Sequence, residues 1–291
     1  MKMILEHASS AELLWVQRKM VAQDQECWHF TSATQDISIW LEPLTMADVC
    51  PFGQLLIAEL DVHKGVFAIN HIVVIKEIED AAVIIRHFAW VPAGKESLLR
   101  DIWGMLNYLP SPALRTFYKS VLADDELMQP FLTSMASHHH HHDYAGGLIE
   151  HSHEVAMTAA ALSLLYGLEP LSVSVAFIGG LLHDIGKIHL YYNVQGPHGV
   201  LGQHESFNFM VLAKQLTVLR LSAPKLFEAL SCCLSIKFRH QNDAYLPSTI
   251  VHMCDRLSVD VCNWRRAFAN VPHYYWYAKS PRDALMYKRL G

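Results

Sequence analysis

The most apolar stretch of the chain, Leu171 to His183, constrains the fold more than any other feature. It reads LSVSVAFIGGLLH, so its only polar residues before the histidine are two serines. A helix that is apolar on every side is stable in water only when other elements surround it. The sequence therefore predicts a central, buried helix in a helical domain, and its last turn presents His183 and Asp184.

The His183–Asp184 pair has the chemistry of a metal site. Neutral imidazole and carboxylate together suit Mn, Fe, Co or Zn, and the two oxygens of Asp184 could bridge two ions. Neighbouring residues of a regular helix point about 100° apart, so the pair requires a frayed helix end, which Gly186 would supply. Lys187 lies one turn after His183 and could reach a phosphate oxygen. The alternative is a capped helix end with a solvated pair.

Two further motifs flank this pair in a recognisable order. Five histidines at 138–142 are followed by GGLIEH at 146–151, and MCDRLS at 253–258 contains Asp255. With HD between them, these motifs give the pattern H…HD…D, which resembles the HD superfamily of metal-dependent phosphohydrolases. The histidine cluster before GGLIEH is similar to the HD domain of conjugative relaxases of the TraI/MobH type and to YhaM-type 3′-to-5′ exoribonucleases. The resemblance runs from about Leu98 to Val261.

The resemblance implies hydrolysis of a phosphoester with one or two divalent transition metals (Mn, Fe, Co or Zn) per chain. Asp184 and Lys187 are the expected catalytic residues. The expected metal ligands are His151, His183, Asp184 and Asp255, with His204 and His240 as candidates for a second ion. The expected substrate-binding residues are His140, His141, His142 and Arg256.

Several of these positions have alternatives. His151 by itself would be a hydrogen-bonded core histidine, and the histidine run could be a surface tract. Before His204 the family pattern has glycine where Gln203 stands, so His198 is a substitute ligand if the loop register shifts. One histidine of the family's pair is missing beside His240.

Hydrophobic periodicity predicts a mainly α protein with two parts. Residues 95–291 form a helical HD-domain bundle with a basic, aromatic C-terminal tail. Residues 1–94 form a smaller α/β accessory subdomain with a helix at Glu12–Gln23 and strands at Leu55–Leu60, Val66–Ile75 and Val83–Val91. The resembling exoribonucleases carry an OB fold here, and the alternative is an accessory sheet.

The tail from Asn263 to Leu290 contains six basic residues and one acidic residue, on a chain whose net charge is −5. It also contains the aromatic run Tyr274 to Tyr277. Such a segment could stack on the bases of single-stranded nucleic acid, or its rings could pack on the domain. The absence of CxxC pairs, of a signal peptide and of an apolar run of about 20 residues indicates a cytoplasmic protein without a membrane partner.

The expected function is that of a phosphodiesterase or nuclease acting on nucleic acid. A phosphohydrolase of small or cyclic nucleotides is one alternative. A non-catalytic HD scaffold, or an accessory protein of a mobile element, is the other. No GxxxxGK[ST] motif occurs, which argues against a P-loop ATPase.

Overall fold

The computed structural model describes residues 10–22, 25–31, 36–41, 55–63, 66–75, 78–137, 142–191, 204–235, 244–280 and 285–290. The chain divides into two units, residues 1–108 and 109–291. The sequence prediction placed the domain boundary between Gly94 and Lys95. The prediction that the chain contains two domains, 1–94 and 95–291, stays a prediction.

The first unit contains a five-stranded antiparallel sheet with the order β3-β2-β1-β4-β5. Its strands are β1 (Ser10–Ala22), β2 (Gln25–Thr31), β3 (Asp36–Leu41), β4 (Leu55–His63) and β5 (Val66–Ile75). The first half of β1 pairs with β4 and the second half pairs with β2, with an irregularity between Val16 and Arg18. Such a bulge increases the local twist, so β1 can serve both halves of a curled sheet.

This sheet has the connectivity of a Greek key, because β4 returns after β3 to lie beside β1. In a flat sheet of five strands the two edges would lie about 19 Å apart. Here Cα atoms of the edge strands β3 and β5 approach within 8 Å. The sheet is therefore curled into a partly open, five-stranded Greek-key barrel, an arrangement that fits the OB fold.

Two predicted elements of the first unit were wrong. The segment predicted as a helix at Glu12–Gln23 is strand β1, because pairing with β2 and β4 on both sides overrides its weak helical stripe. The segment predicted as a strand at Val83–Val91 belongs, except for its last residue, to helix α1 (Ile78–Trp90). Its buried side chains Ile84, His87 and Val91 recur every three to four residues, which is a helical period. Helix α2 (Glu96–Gly104) follows, and Trp103 donates a hydrogen bond to His87.

The second unit is a bundle of helices, so the mainly α fold class is confirmed. Its helices are α3 (Pro112–Leu122), α4 (Asp125–Thr133), α5 (Gly147–Leu165), α6 (Pro170–Leu182), α7 (Ile188–Tyr191), α8 (His204–Val211), α9 (Ala213–Ser222), α10 (Pro224–Leu234) and α11 (Leu246–Phe268). A short hairpin of β6 (Tyr277–Lys279) and β7 (Met286–Lys288) follows α11. The loop that carries His198 and the segment around His240 lie outside the described residues.

Helix α6 is the central element of this bundle, as its sequence predicts. All of its residues from Ser174 to Leu182 are buried, and it packs against α5, α10 and α11. Two glycines permit this contact. A Cβ atom on Gly180 would lie 2.8 Å from the Cα of Ala156 in α5, and one on Gly179 would lie 2.6 Å from the Cβ of Cys233 in α10. The glycines therefore set the distance between the helices that carry the site described below.

One helical stretch of the described residues, Pro170–Leu190, is long and apolar enough to cross a membrane by length and composition. Its most apolar window is 78% buried inside the protein. A core helix of a soluble protein passes the same test, and α6 has the surroundings of a core helix.

Candidate metal centre

Three helices of the second unit bring four predicted ligands together. His151 lies near the start of α5, His183 and Asp184 directly follow α6, and Asp255 lies in the middle of α11. The Nε2 atom of His151 is 3.3 Å from Oδ2 of Asp184 and 3.2 Å from Oδ1 of Asp255. The Nε2 atom of His183 is 3.4 Å and 3.5 Å from the same two oxygens. Two imidazole nitrogens and two carboxylate oxygens thus face a common point.

The end of α6 explains how adjacent residues contribute to one site. His183 still has helical backbone angles, whereas Asp184 departs from them with φ −113° and ψ 7°. A short 3₁₀ turn, Ile185–Lys187, follows. The helix therefore ends between the two residues, which allows both side chains to point to the same side, as the sequence required.

The tautomers of the two histidines suit metal binding. The Nδ1 atom of His183 lies 2.7 Å from the carbonyl oxygen of Gly180, which can only accept, so Nδ1 carries the proton. The Nδ1 atom of His151 lies 3.2 Å from the Ser258 hydroxyl, which itself donates to Glu154 at 2.9 Å and so accepts from His151. In the neutral form both rings therefore present the lone pair of Nε2 to the common point.

The spacing of the four donor atoms also fits a metal ion. Donor atoms about 2.1 Å from one ion lie roughly 3.0–3.4 Å apart in tetrahedral or octahedral geometry. The observed separations between nitrogen and oxygen, 3.2–3.5 Å, agree with this range. They exceed the roughly 2.7–2.9 Å of charge-assisted hydrogen bonds. Donor atoms of His151, His183 and Asp255 all lie within 4.8 Å of one another. The residues present therefore fit a divalent transition metal.

The electrostatics of the site show strong mutual stabilisation. Burial by itself lowers the pKa of His151, but the carboxylates of Asp184 and Asp255 outweigh it and raise that pKa from 6.5 to about 9. Burial raises the pKa of Asp255, and the neighbouring imidazoles of His151 and His183 outweigh it and hold that pKa well below its usual range. Each carboxylate thus favours a positive charge at the common point, where a metal cation would compete with a proton.

Lys187 lies closer to this centre than the sequence indicated. Its Nζ atom is 2.6 Å from Oδ2 of Asp184, and the two side chains are 12% and 3% exposed. An oxygen that is bonded to an ammonium group is oriented and partly neutralised. Lys187 therefore fixes the Asp184 carboxylate, and its predicted contact with a phosphate oxygen stays a prediction.

Ser258 and Glu154 form a chain behind His151 that sequence reasoning missed. Replacing Ser258 by alanine is expected to weaken metal binding by about 10–100-fold, since the ring of His151 would lose the acceptor that orients it. Isothermal titration with Mn²⁺ or Zn²⁺ measures the affinity. Ser258→Thr should retain most of it, because the hydroxyl remains.

Ser152 provides a matched control for this experiment. Its side chain is as buried as that of Ser258, it follows His151 directly, and its hydroxyl has no hydrogen-bond partner among the described residues. Ser152→Ala should therefore leave metal affinity unchanged. Wild-type affinity in Ser258→Ala would show that Ser258 does not position the ligand.

Asn208 in α8 was also missed, because a single asparagine in an amphipathic helix carries no motif. Its side chain is fully buried and bonds three backbone groups. Its amide nitrogen donates to the carbonyl oxygens of His183 and, at 3.0 Å, Leu234, while its amide oxygen accepts from the N–H of Gly186 at 2.7 Å. Asn208 thereby ties the turn that carries His183 and Asp184 to the end of α10.

The remaining predicted residues are placed as follows. His142, whose backbone φ is +56°, bonds the Tyr144 hydroxyl at 2.9 Å and lies 3.9 Å from Glu154. Arg256 is an exposed residue of α11 and pairs with Asp260 at 3.0 Å. His140, His141, His198 and His240, and the side chain of His204, lie outside the described residues. Substrate binding and a second ion stay predictions.

The comparison with protein families agrees with this geometry. Residues 148–259 match the family model of the HD domain. The matched segment contains His151, His183, Asp184 and Asp255. The match supports a relationship to the HD-domain superfamily, a class of metal-dependent phosphohydrolases. Neither the search of curated proteins nor the search of solved structures returned a match.

Proposed function

We propose that the protein is a metal-dependent phosphodiesterase that cleaves single-stranded nucleic acid. The proposal of metal-dependent hydrolysis rests on one observation: His151, His183, Asp184 and Asp255 converge within the segment that matches the HD domain. A metal centre of this kind does not by itself distinguish a polynucleotide from a small nucleotide, so the nucleic-acid substrate rests on different support.

When bound, a divalent metal would lower the pKa of a coordinated water and polarise the phosphoryl oxygens. The residues of the chain have separate tasks around it. His151, His183, Asp184 and Asp255 would hold the ion, and the other carboxylate oxygen of Asp184 would be available to a second ion. Lys187 holds Asp184 in place, and its ammonium group would offset negative charge on a phosphate. His151 and His183 are buried, which limits the access of bulk water to the donor atoms.

Support for a single-stranded substrate comes from the first unit and from the tail. The strand order of the sheet fits the OB fold, an architecture that binds oligonucleotides across its strands and loops. The tail adds a local surplus of basic charge. A polynucleotide carries the phosphates and bases that each of these features could bind, whereas a mononucleotide offers only one phosphate group and one base.

The proposal is tested with protein stripped of metal by a chelator and then supplied with Mn²⁺. The stripped protein should not hydrolyse bis-p-nitrophenyl phosphate or a labelled single-stranded oligonucleotide, and Mn²⁺ should restore both activities. The oligonucleotide should be cleaved in preference to cyclic AMP and nucleoside triphosphates. If the protein prefers a small nucleotide, the proposed substrate is wrong and the small nucleotide takes its place. If no divalent metal gives any activity, the proposed phosphodiesterase function is overturned.

A further inference from the structure

The C-terminal hairpin presents an unusual surface, which we call the hairpin face. It consists of Tyr274, Tyr275, Trp276, Tyr277, Lys279, Met286 and Lys288. The four consecutive aromatic residues are 81%, 45%, 55% and 43% exposed, respectively. The sequence allowed these rings either to cover the domain or to face solvent. They face solvent.

The alternation of the hairpin explains the outward position of Tyr277. In β6 the side chain of Ala278 is buried, while those of Tyr277 and Lys279 point outward. The register pairs Tyr277 with Lys288 and Lys279 with Met286, so these four outward side chains share one side. Ala278 and the half-buried Tyr287 pack on Ala267 and Phe268. The small core thus uses other residues and leaves the hairpin face uncovered by the described parts of the chain.

The backbone beneath the hairpin face is firmly held. Arg289 donates to the carbonyl oxygens of Val271, Pro272 and Tyr275, and its guanidinium group lies 4.6 Å from the centre of the Phe268 ring. Trp264 of α11 donates to the carbonyl oxygen of Lys288 at 3.0 Å. A surface that is ordered before binding loses less entropy when a ligand binds. Rigidity therefore suits the hairpin face to recognition.

Charge and ring geometry together indicate the ligand. The Nζ atom of Lys288 lies 5.2 Å from the centre of the Trp276 ring, so a cation and a flat aromatic surface occur side by side. Asp283 is the only acidic residue between Asn263 and Leu290. An acidic peptide would use the cations but not four exposed rings, whereas a single strand carries phosphates and flat bases in alternation. We infer that the hairpin face binds single-stranded nucleic acid through base stacking on its rings and phosphate contacts to Lys279 and Lys288.

The position of the hairpin face gives the inference a measurable length, and this part rests on the proposed function. Trp264, which donates to the carbonyl oxygen of Lys288, follows Asp255 by nine residues in the same helix, α11. At a rise of about 1.5 Å per residue the two residues are roughly 14 Å apart along the axis. A stacked strand advances about 3.4 Å per nucleotide, so about four nucleotides span this axial distance. An oligonucleotide of three nucleotides does not span it.

The test uses the double variant Trp276→Ala/Tyr277→Ala, with Tyr166→Ala as the control. Tyr166 is 73% exposed at the end of α5 and lies away from the hairpin in sequence. Binding of fluorescein-labelled dT12 and dT3 is measured by anisotropy in chelator, over a range of salt concentrations, so that no cleavage interferes. Hydrolysis of bis-p-nitrophenyl phosphate with Mn²⁺ and thermal unfolding are measured in parallel.

The double variant should bind dT12 at least about 30-fold more weakly than the wild type, because it removes two rings and each stacked base contributes about 1–3 kcal/mol. Its binding of dT3, which is already weak, should change less, and its hydrolysis of the small ester should be unchanged. Lys279→Gln/Lys288→Gln should reduce the salt dependence of dT12 binding. Unaltered dT12 binding in both variants would overturn the inference.

Two further outcomes are informative. If the alanine variant unfolds, the lysine variant still decides the question, because its exposed side chains do not build the small core. If wild-type protein binds phosphatidylserine vesicles but not dT12, the hairpin face is a lipid surface and the inference is wrong. If the wild-type protein does not hydrolyse the ester with Mn²⁺, the proposed function is contradicted, while the result on binding of dT12 remains valid.

Discussion

Asp184→Ala and His183→Ala should each lower Mn²⁺-dependent hydrolysis of bis-p-nitrophenyl phosphate by about 10³-fold or more. Each removes a donor atom from a set spaced 3.2–3.5 Å apart, and loss of several kcal/mol of metal-derived stabilisation corresponds to this factor. Bound metal, measured by elemental analysis after gel filtration, should fall in the same variants. Circular dichroism should show that the helices persist.

Asp260→Ala is the matched control for these variants. Asp260 lies in α11 like Asp255, but its side chain is 49% exposed and pairs with Arg256, which is also exposed. An exposed pair of this kind contributes little to stability, so its loss should leave metal content and activity unchanged. Rates like those of the wild type in Asp184→Ala or His183→Ala would refute the metal centre. His183→Ala is the safer of the two for folding, since it leaves Lys187 paired with Asp184.

Gly180→Ala should destabilise the protein by about 2 kcal/mol and weaken metal binding at the same time. The new methyl carbon would lie 2.8 Å from the Cα and 3.0 Å from the nitrogen of Ala156, which are backbone atoms of α5 and cannot rotate away. Overpacking costs about 1–3 kcal/mol or more, against about 1 kcal/mol that alanine gains over glycine in a helix. Helices α5 and α6 must therefore separate, and with them His151 and His183. Urea unfolding and metal titration measure the two effects.

Gly179 allows a test of whether steric contact between helices causes the destabilisation. A methyl group there would meet the side chain of Cys233, with 2.6 Å to Cβ and 2.7 Å to Sγ. Gly179→Ala should therefore be destabilising by itself and be partly rescued by Cys233→Gly. No side-chain change at Ala156 can rescue Gly180→Ala, because the obstructing atoms belong to the backbone. Unfolding of Gly180→Ala at the wild-type urea midpoint would show that α5 and α6 adjust without cost.

Local sequence was informative wherever a pattern was long or chemically specific. The apolar run of α6 predicted a central helix, since no other environment in water stabilises such a segment, and the structure confirms it. Strands β4 and β5 were predicted from their β-branched residues. The short, mixed segments of β1 and α1 were misread. Their conformation depends on pairing with β2 and β4 in one case, and on burial of Ile84, His87 and Val91 in the other.

By itself, the sequence determined the types of ligand and their order, because His151, the His183–Asp184 pair and Asp255 each stand in a motif. Only the tertiary structure decided that their donor atoms share one point, since this depends on the close approach of α5 to α6 at Gly180. It also decided the contributions of Ser258 and Asn208, whose partners lie 107 and 25 residues away. In the tail, the sequence supplied rings and charges, and only the tertiary structure decided that the rings face solvent, with the pairing of β6 and β7 placing Tyr277. A motif shows which chemical groups lie near one another in the sequence. The distances between groups from different helices depend on how the helices pack.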